Sequence, residues 1–198
     1  NADTVLLINP ENPSGHYFVK EEVLSLATQL KKMGKNLILD ESFADFAKSD
    51  VRFTFITEEL LTEYPNVIVI KSISKSYGVP GFRLGVLASS DEALITKVQK
   101  NTSIWNINSY GEFFLQIFDK YKKFYATACD KIVAERERFI VELSKIDGIT
   151  IYPSQANYVL CKLTGKISSQ ELCQELFKKI DKTEKTIQAF LSLDREEI

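Results

Sequence analysis

The sequence predicts an α/β fold: a mostly parallel sheet with flanking helices, followed by a small α+β domain toward the C-terminal end. Short apolar runs alternate with stretches of helical periodicity as far as about Lys100, the pattern of α/β architecture. The first run is continuously apolar, as expected of a strand buried on both faces. From about Asn108 to Ile146 the pattern becomes helical, charged and aromatic, and two short strand-like runs follow. The expected division is a first domain, 1–107, then a helical linker with a small domain, 108–198.

Thr4 to Ile8 forms the first strand, stopped by the turn Asn9-Pro-Glu-Asn-Pro-Ser-Gly15. Lys20 to Met33 places Val23, Ala27 and Leu30 on one helical face, and Gly34 supplies the stop. Leu37 to Leu39 is the second strand, ending at Asp40; Val67 to Ile70 is the third and Leu84 to Ala88 the fourth. Ser89-Ser-Asp-Glu92 has capping-box spacing, so a helix is expected from there toward Lys100. The stretch from Asn108 to Ile146 is too long for one ordinary helix and predicts a break. Asp147-Gly148 ends it; Ile149 to Tyr152 and Asn157 to Leu163 read as strands. Ser168-Ser-Gln-Glu171 is a second capping box, opening a helix to about Lys179. Lys182 to Thr186 reads as loop and Ile187 to Leu193 as a last strand.

Composition bounds the function. With 198 residues, 44% hydrophobic and 26% charged, the chain is ordinary for a globular protein. A net charge of -2 gives no electrostatic case for nucleic acid or an anionic membrane, and no apolar run is long enough to span a bilayer. Cys129, Cys161 and Cys173 are odd in number and share no CxxC spacing, which predicts reduced thiols, a cytoplasmic setting and no metal site. The start is abrupt: Asn1-Ala2 leads almost at once into a strand, as a short scar ahead of a cloned fragment would.

Three strand ends carry the polar residues: Asn12 after the first, Asp40 at the second, and Ser72-Ile-Ser-Lys75 after the third. Ligands of open α/β sheets bind beyond the carboxyl ends of strands, so one pocket is expected. In Ser72-Ile-Ser-Lys-Ser-Tyr-Gly-Val-Pro-Gly-Phe-Arg-Leu-Gly85 a lysine sits among hydroxyls, followed by two glycines and an arginine. Hydroxyls and a guanidinium can converge on a phosphate, and a lysine held beside them is suited to imine formation. A nucleotide-type phosphate loop fits less well, because the lysine precedes the glycines. Asp40 also reads as a carboxylate capping a turn, and Asn12 as an Asx-turn residue.

The motif Ser-x-Ser-Lys-x-x-Gly-x-x-Gly-x-Arg-x-Gly resembles the cofactor-lysine motif of class I/II, fold-type-I aminotransferases, which use pyridoxal 5′-phosphate. Asn9-Pro-x-Asn-Pro-x-Gly15 resembles that family's asparagine-proline turn, and Asp40-Glu-Ser-Phe43 its Asp-x-x-Tyr strand end. Ser154-Gln-Ala-Asn-Tyr-Val159 resembles a small-domain strand of the histidinol-phosphate aminotransferase and threonine-phosphate decarboxylase branch. The resemblance implies that Lys75 is the Schiff-base lysine and shuttles the substrate proton. It implies that Asp40 pairs with the pyridine nitrogen, that Asn12 bonds the ring's phenolic oxygen, and that Ser72, Ser74 and Arg83 hold the phosphate. It further implies a cis bond at Asn12-Pro13, a homo-oligomer, and transfer of an amino group between an amino acid or phosphorylated amine and a keto acid. Decarboxylation of a phosphorylated amino acid is the alternative chemistry, and an isolated non-catalytic fragment of a larger protein the alternative class.

Three departures stand against the family pattern. Phe43 replaces the usual tyrosine. The family's carboxylate-clamping arginine has no clear counterpart; Gln188 is nearest, and Arg195 lies in an acidic tail. The segment that precedes the Asn-Pro turn in relatives, with its stacking aromatic, is not in this sequence, so the chain is expected to hold the lysine but only part of the pocket. His16 is expected to be exposed, Trp105 to pack, the Tyr121 to Tyr125 aromatics to form a helix interface or core, and Cys161 to be buried.

Overall fold

The computed structural model describes residues 2–179. Strands β1 (Thr4–Ile8), β2 (Asn36–Asp40), β3 (Val67–Ser72) and β4 (Gly85–Ala88) form one sheet in that order. The first three run parallel and β4 returns antiparallel to β3. The connection from β1 to β2 is helix α1 (Lys20–Lys32), as a parallel pair requires a crossover. Glu22 closes the first turn of α1 by accepting from Val19 N at 3.0 Å, and Gly34, at φ +66°, lets the chain leave it. Val23, Ala27 and Leu30 of α1 pack on Leu37, Leu39, Val67 and Val69, joined by Phe55 and by Leu60 of helix α2 (Glu58–Glu63). Burying a side chain of this class contributes about 1.5–3 kcal/mol, so this one face of the sheet anchors the N-terminal half.

After β3 comes a single helical turn, α3 (Ile73–Ser76), and after β4 helix α4 (Glu92–Asn101). The expected break in the long helical stretch is found: α5 (Ser109–Ile117) and α6 (Lys122–Leu143) flank a tight turn, Phe118–Tyr121. There Tyr77 meets Phe118 edge-on at 4.8 Å and stacks on Tyr125 at 3.7 Å. A hairpin-like pair, β5 (Ile149–Ile151) and β6 (Cys161–Leu163), is antiparallel, and α7 (Ser169–Lys179) follows. The capping box at α7 forms as expected, Ser168 and Glu171 each satisfying the other's backbone N–H.

Several expectations need correction. β1 is not buried on both faces: its only strand neighbour among the described residues is β2, and Leu6 is 60% exposed. The cap of α4 is Asp91, which accepts from Leu94 N at 3.0 Å, while Ser89 only accepts from Asp91 N. The strand expected from Asn157 begins at Cys161, because Ser154 Oγ donates to Tyr158 O at 2.6 Å and folds 154–158 into a closed turn. Trp105 is 92% exposed and so does not pack among the described residues; of the Tyr121 to Tyr125 aromatics, Phe124 is exposed and Tyr125 turns inward to the core. Cys161 is only half-buried, whereas Cys129 is buried. His16 is exposed, as expected. The loop and strand expected from Lys182 to Leu193, with Gln188 and Arg195, lie outside the described residues.

A second cluster, Phe43, Phe46, Cys129 and Ala156 with Tyr125 and Tyr158, joins the turn after β2 to α6 and to the 154–158 turn. Arg136 ties it: its Nη1 donates to Phe46 O at 2.7 Å and to Ala156 O at 2.9 Å, and Glu137 balances its charge at 3.1 Å. Removing this buried guanidinium strands two carbonyls. Arg136→Leu is therefore expected to lower unfolding free energy by on the order of 3 kcal/mol in denaturant titration. Arg138→Ala, which breaks only an exposed pair with Glu135, should leave the midpoint unchanged. Equal losses in the two variants would contradict the role given to Arg136.

Candidate active site at the carboxyl ends of the strands

Register places the site. Ile8 lies beside Asp40 and Asp40 beside Ile70, so the chain leaves all three parallel strands at one edge. Asn9 N donates to Asp40 O and Glu41 N to Ile70 O, both at 2.9 Å, which carries the alignment past the last strand residues. A cleft of about 560 Å³ opens there, lined by Asp40, Ser42, Lys71, Ser72, Ser74, Lys75 and Arg83 among others. Five of the six residues singled out from sequence thus share one cleft. Asn12 does not line it; it is exposed at the tip of the adjoining loop. The bond Asn12-Pro13 is cis, as expected, and so is Asn9-Pro10.

The turn bearing Lys75 is held by one carbonyl. Leu84 O accepts from Ile73 N at 3.1 Å, Ser74 N at 3.3 Å and Ser74 Oγ at 3.3 Å. Ser74 Oγ also accepts from Leu84 N at 3.0 Å. This brings Arg83, the residue before Leu84, back beside the Lys75 turn. Arg83 adopts the left-handed region at φ 53°, a conformation uncommon for a non-glycine residue. Asn108 fixes the loop from the far side: its Nδ2 donates to Phe82 O at 3.0 Å while its Oδ1 caps α5 through Gly111 N. Gly111 packs closely there: a Cβ would stand 3.0 Å from Leu84 Cδ2, so the leucine would have to shift by a few tenths of an ångström.

These bonds bear on the expectation for Ser74. Ser74 is buried and its hydroxyl engages both Leu84 O and Leu84 N, so in this structure it also clasps the loop. Ser72 Oγ lines the cleft with no hydrogen-bond partner among the described residues. The cations divide likewise. Lys71 Nζ pairs with Asp45 Oδ1 at 2.7 Å, and Tyr125 donates to the other carboxylate oxygen at 2.6 Å. Lys75 and Arg83 are exposed, and neither side chain has a hydrogen bond or ion pair among the described residues. Lys75 Nζ lies 4.8 Å from the centroid of the Phe43 ring. Glu41, next in sequence to Asp40 but outside the cleft lining, is buried and accepts from Thr54 Oγ1 and Phe55 N, both at 2.6 Å; burial raises its carboxyl above the usual range.

Sequence reading passed over Ser42. Its N–H donates to Asp40 Oδ1 at 2.8 Å, its Oγ accepts from Ser72 N at 2.9 Å, and its carbonyl accepts from Ser76 Oγ at 3.1 Å. One residue therefore binds the aspartate at one strand end to both sides of the Lys75 turn. No sequence signal points to it, since a serine two residues after an aspartate reads as turn chemistry. Ser42→Ala should expose the Ser72 amide: hydrogen exchange at Ser72 is expected to speed up about fivefold, the size of one neutral hydrogen bond. Unchanged exchange there would remove Ser42 as the link.

The donors present fit pyridoxal 5′-phosphate. Arg83 and Ser72 suit a phosphate, Asp40 suits a protonated ring nitrogen, and Lys75 supplies the amine. The cleft volume falls within the roughly 300–1,000 Å³ of small-molecule sites. Comparison with known proteins agrees. The model of the family "Aminotransferase class I and II" matches residues 1–182. The L-serine phosphate decarboxylase of Sulfurospirillum multivorans is 39% identical over 170 residues, covering 84% of this chain and 43% of that protein. The structure of the histidinol-phosphate aminotransferase from Clostridium acetobutylicum superposes with a TM-score of 0.79 at 29% identity, covering 89% of this chain and 52% of that one. The histidinol-phosphate aminotransferase from Sinorhizobium meliloti, solved in complex with pyridoxal-5′-phosphate, gives 0.69 at 26% identity, covering 83% and 43%. The chain thus spans about half the length of the relatives it matches. Fold, site chemistry and these likenesses agree: the chain belongs to the class I and II aminotransferase family, whose members are pyridoxal-phosphate dependent.

Proposed function

We propose that the full-length protein acts at the α-carbon of a small phosphorylated amino acid, with Lys75 as the residue that carries pyridoxal phosphate. The observation that carries this reading is the division of cations in the cleft. Lys71 is neutralised by Asp45, while Lys75 and Arg83 stand unpaired among the described residues on either side of the Leu84 clasp. Bound there, pyridoxal phosphate would supply an electron sink for charge developing at the substrate α-carbon. The protein's own groups do the rest. Arg83 and the Ser72 hydroxyl would hold the phosphate by charge-assisted hydrogen bonds. Asp40, fixed through one oxygen by Ser42 N, would hold a proton on the ring nitrogen with the other. Asn12 would bond the ring's phenolic oxygen from the neighbouring loop. Phe43 offers no hydroxyl for that purpose and instead presents its ring to Lys75.

Two reactions share this apparatus, and they differ in which bond at the α-carbon breaks. In decarboxylation Lys75 Nζ returns a proton to the carbon that carbon dioxide leaves; in transamination it removes the proton from that carbon. Sequence reading placed transamination first. The 39% identity to a decarboxylase of a phosphorylated amino acid supports the reverse order, and the aminotransferase likeness keeps the second reading in play. The reading includes self-association, which the exposed Ile104, Trp105, Tyr110 and Phe113 support.

Borohydride reduction of the full-length protein with pyridoxal phosphate should fix the cofactor to the peptide containing Lys75, and Lys75→Ala should abolish the trapping. Arg83→Ala should weaken pyridoxal phosphate by roughly one to two powers of ten, while pyridoxal lacking the phosphate should lose little in that variant. Offered a phosphorylated amino acid, the protein is expected to release carbon dioxide. A keto acid as the product would select transamination, and neither product would overturn the assignment.

A further inference from the structure

Tyr158 has no part in the sequence reading beyond its motif, yet its side chain bridges two parts of the site. Its hydroxyl donates to Glu11 O at 2.9 Å. Its ring meets Phe43 edge-on at 5.1 Å, with the ring planes at 84°, and Phe43 in turn faces Lys75 Nζ. The Glu11 carbonyl belongs to the planar peptide that joins Glu11 to Asn12, so holding that oxygen fixes the plane from which Asn12 projects. Within the loop the same oxygen also accepts from Gly15 N at 2.7 Å and Glu11 N donates to His16 O at 2.8 Å, so the Tyr158 hydroxyl is the hold that reaches this peptide from outside the loop. Asn9 clamps the stem by accepting from Phe18 N at 2.8 Å and donating to Phe18 O at 2.9 Å. Gln155 N reaches the far end at Gly15 O, 2.9 Å away. Asn12 itself is exposed, and its side chain has no hydrogen bond among the described residues.

We propose that Tyr158 is a positioning residue: from the turn ahead of β6 it sets the peptide carrying Asn12 in place relative to Phe43 and Lys75. This rests on the cofactor reading above. Because Ser154 Oγ closes the 154–158 turn and Arg136 holds Ala156 O, the phenol is delivered from a rigid base. Its ring and its hydroxyl make separable contributions. The ring packs on Phe43, and the hydroxyl orients the Asn12 loop.

The test is a double-mutant cycle in the full-length protein, with pyridoxal phosphate binding followed by absorbance and unfolding followed in parallel. Tyr158→Phe keeps the ring and removes only the bond to Glu11 O. It is expected to raise the Kd for pyridoxal phosphate about fivefold, the size of one neutral hydrogen bond. In an Asn12→Ala background the same substitution should cause no further loss, since the hydroxyl acts through Asn12. A lowered unfolding midpoint with unchanged Kd, or equal losses in both backgrounds, would overturn the proposal while leaving the cofactor reading intact. Failure of the unaltered protein to bind pyridoxal phosphate would overturn both.

Discussion

The parallel register of three strands is the constraint on which everything else depends. With Ile8, Asp40 and Ile70 side by side, the Asn-Pro loop, the Asp40 carboxylate and the Lys75 turn leave the sheet at the same edge. A slip of one residue in β2 would turn Asp40 to the opposite face and put Leu37 and Leu39 outside the core. The packing of α1 on Leu37, Leu39, Val67 and Val69 resists that slip, because the same alternation that buries these residues points Asp40 away from them. Stability and site geometry are therefore fixed by a single alignment.

Around that edge, backbone groups are tied by side chains and functional side chains are left free. Ser42, Ser74, Ser76 and Asn108 spend their hydrogen bonds on the loops that bear Asp40, Lys75 and Arg83. Lys71 is held by Asp45 and Tyr125. The side chains with ligand chemistry remain unpaired among the described residues: Asn12, Ser72, Lys75 and Arg83. A polar cluster read only from composition would treat these groups alike; their hydrogen bonds separate scaffold from binding surface. Phe43 follows the same logic. Losing the tyrosine hydroxyl leaves an apolar ring that lies between Lys75 and Tyr158 and joins the second core.

Much of this was legible in the sequence where the signal is local. Continuous apolar runs marked β1 to β4, the spacing of Val23, Ala27 and Leu30 marked α1, and Ser168 with Glu171 marked the start of α7. The spacing of Lys75 and Arg83 pointed to a shared cleft, because a tight loop must return between them. Tertiary placement was not legible. Leu6 is exposed because β1 is an edge among the described residues, and no pattern within its own run reports its neighbours. Asp91 displaced Ser89 as a cap, since both have the right chemistry and only backbone geometry chooses. The part Ser74 plays in clasping the loop depends on Leu84, ten residues on, and no motif reports that partner. Ser42 and Tyr158 gain their roles from partners 30 and 147 residues away, beyond the reach of any local motif.

The central claim is that Asp40 and Lys75, brought together by strand register, address one cofactor. A crystal structure of the full-length protein grown with pyridoxal phosphate tests it most directly. The account predicts electron density continuous from Lys75 Nζ into the cofactor, with an Asp40 carboxylate oxygen roughly 2.7–3.2 Å from the ring nitrogen. Cofactor joined to a different lysine, or a ring nitrogen facing away from Asp40, would contradict it.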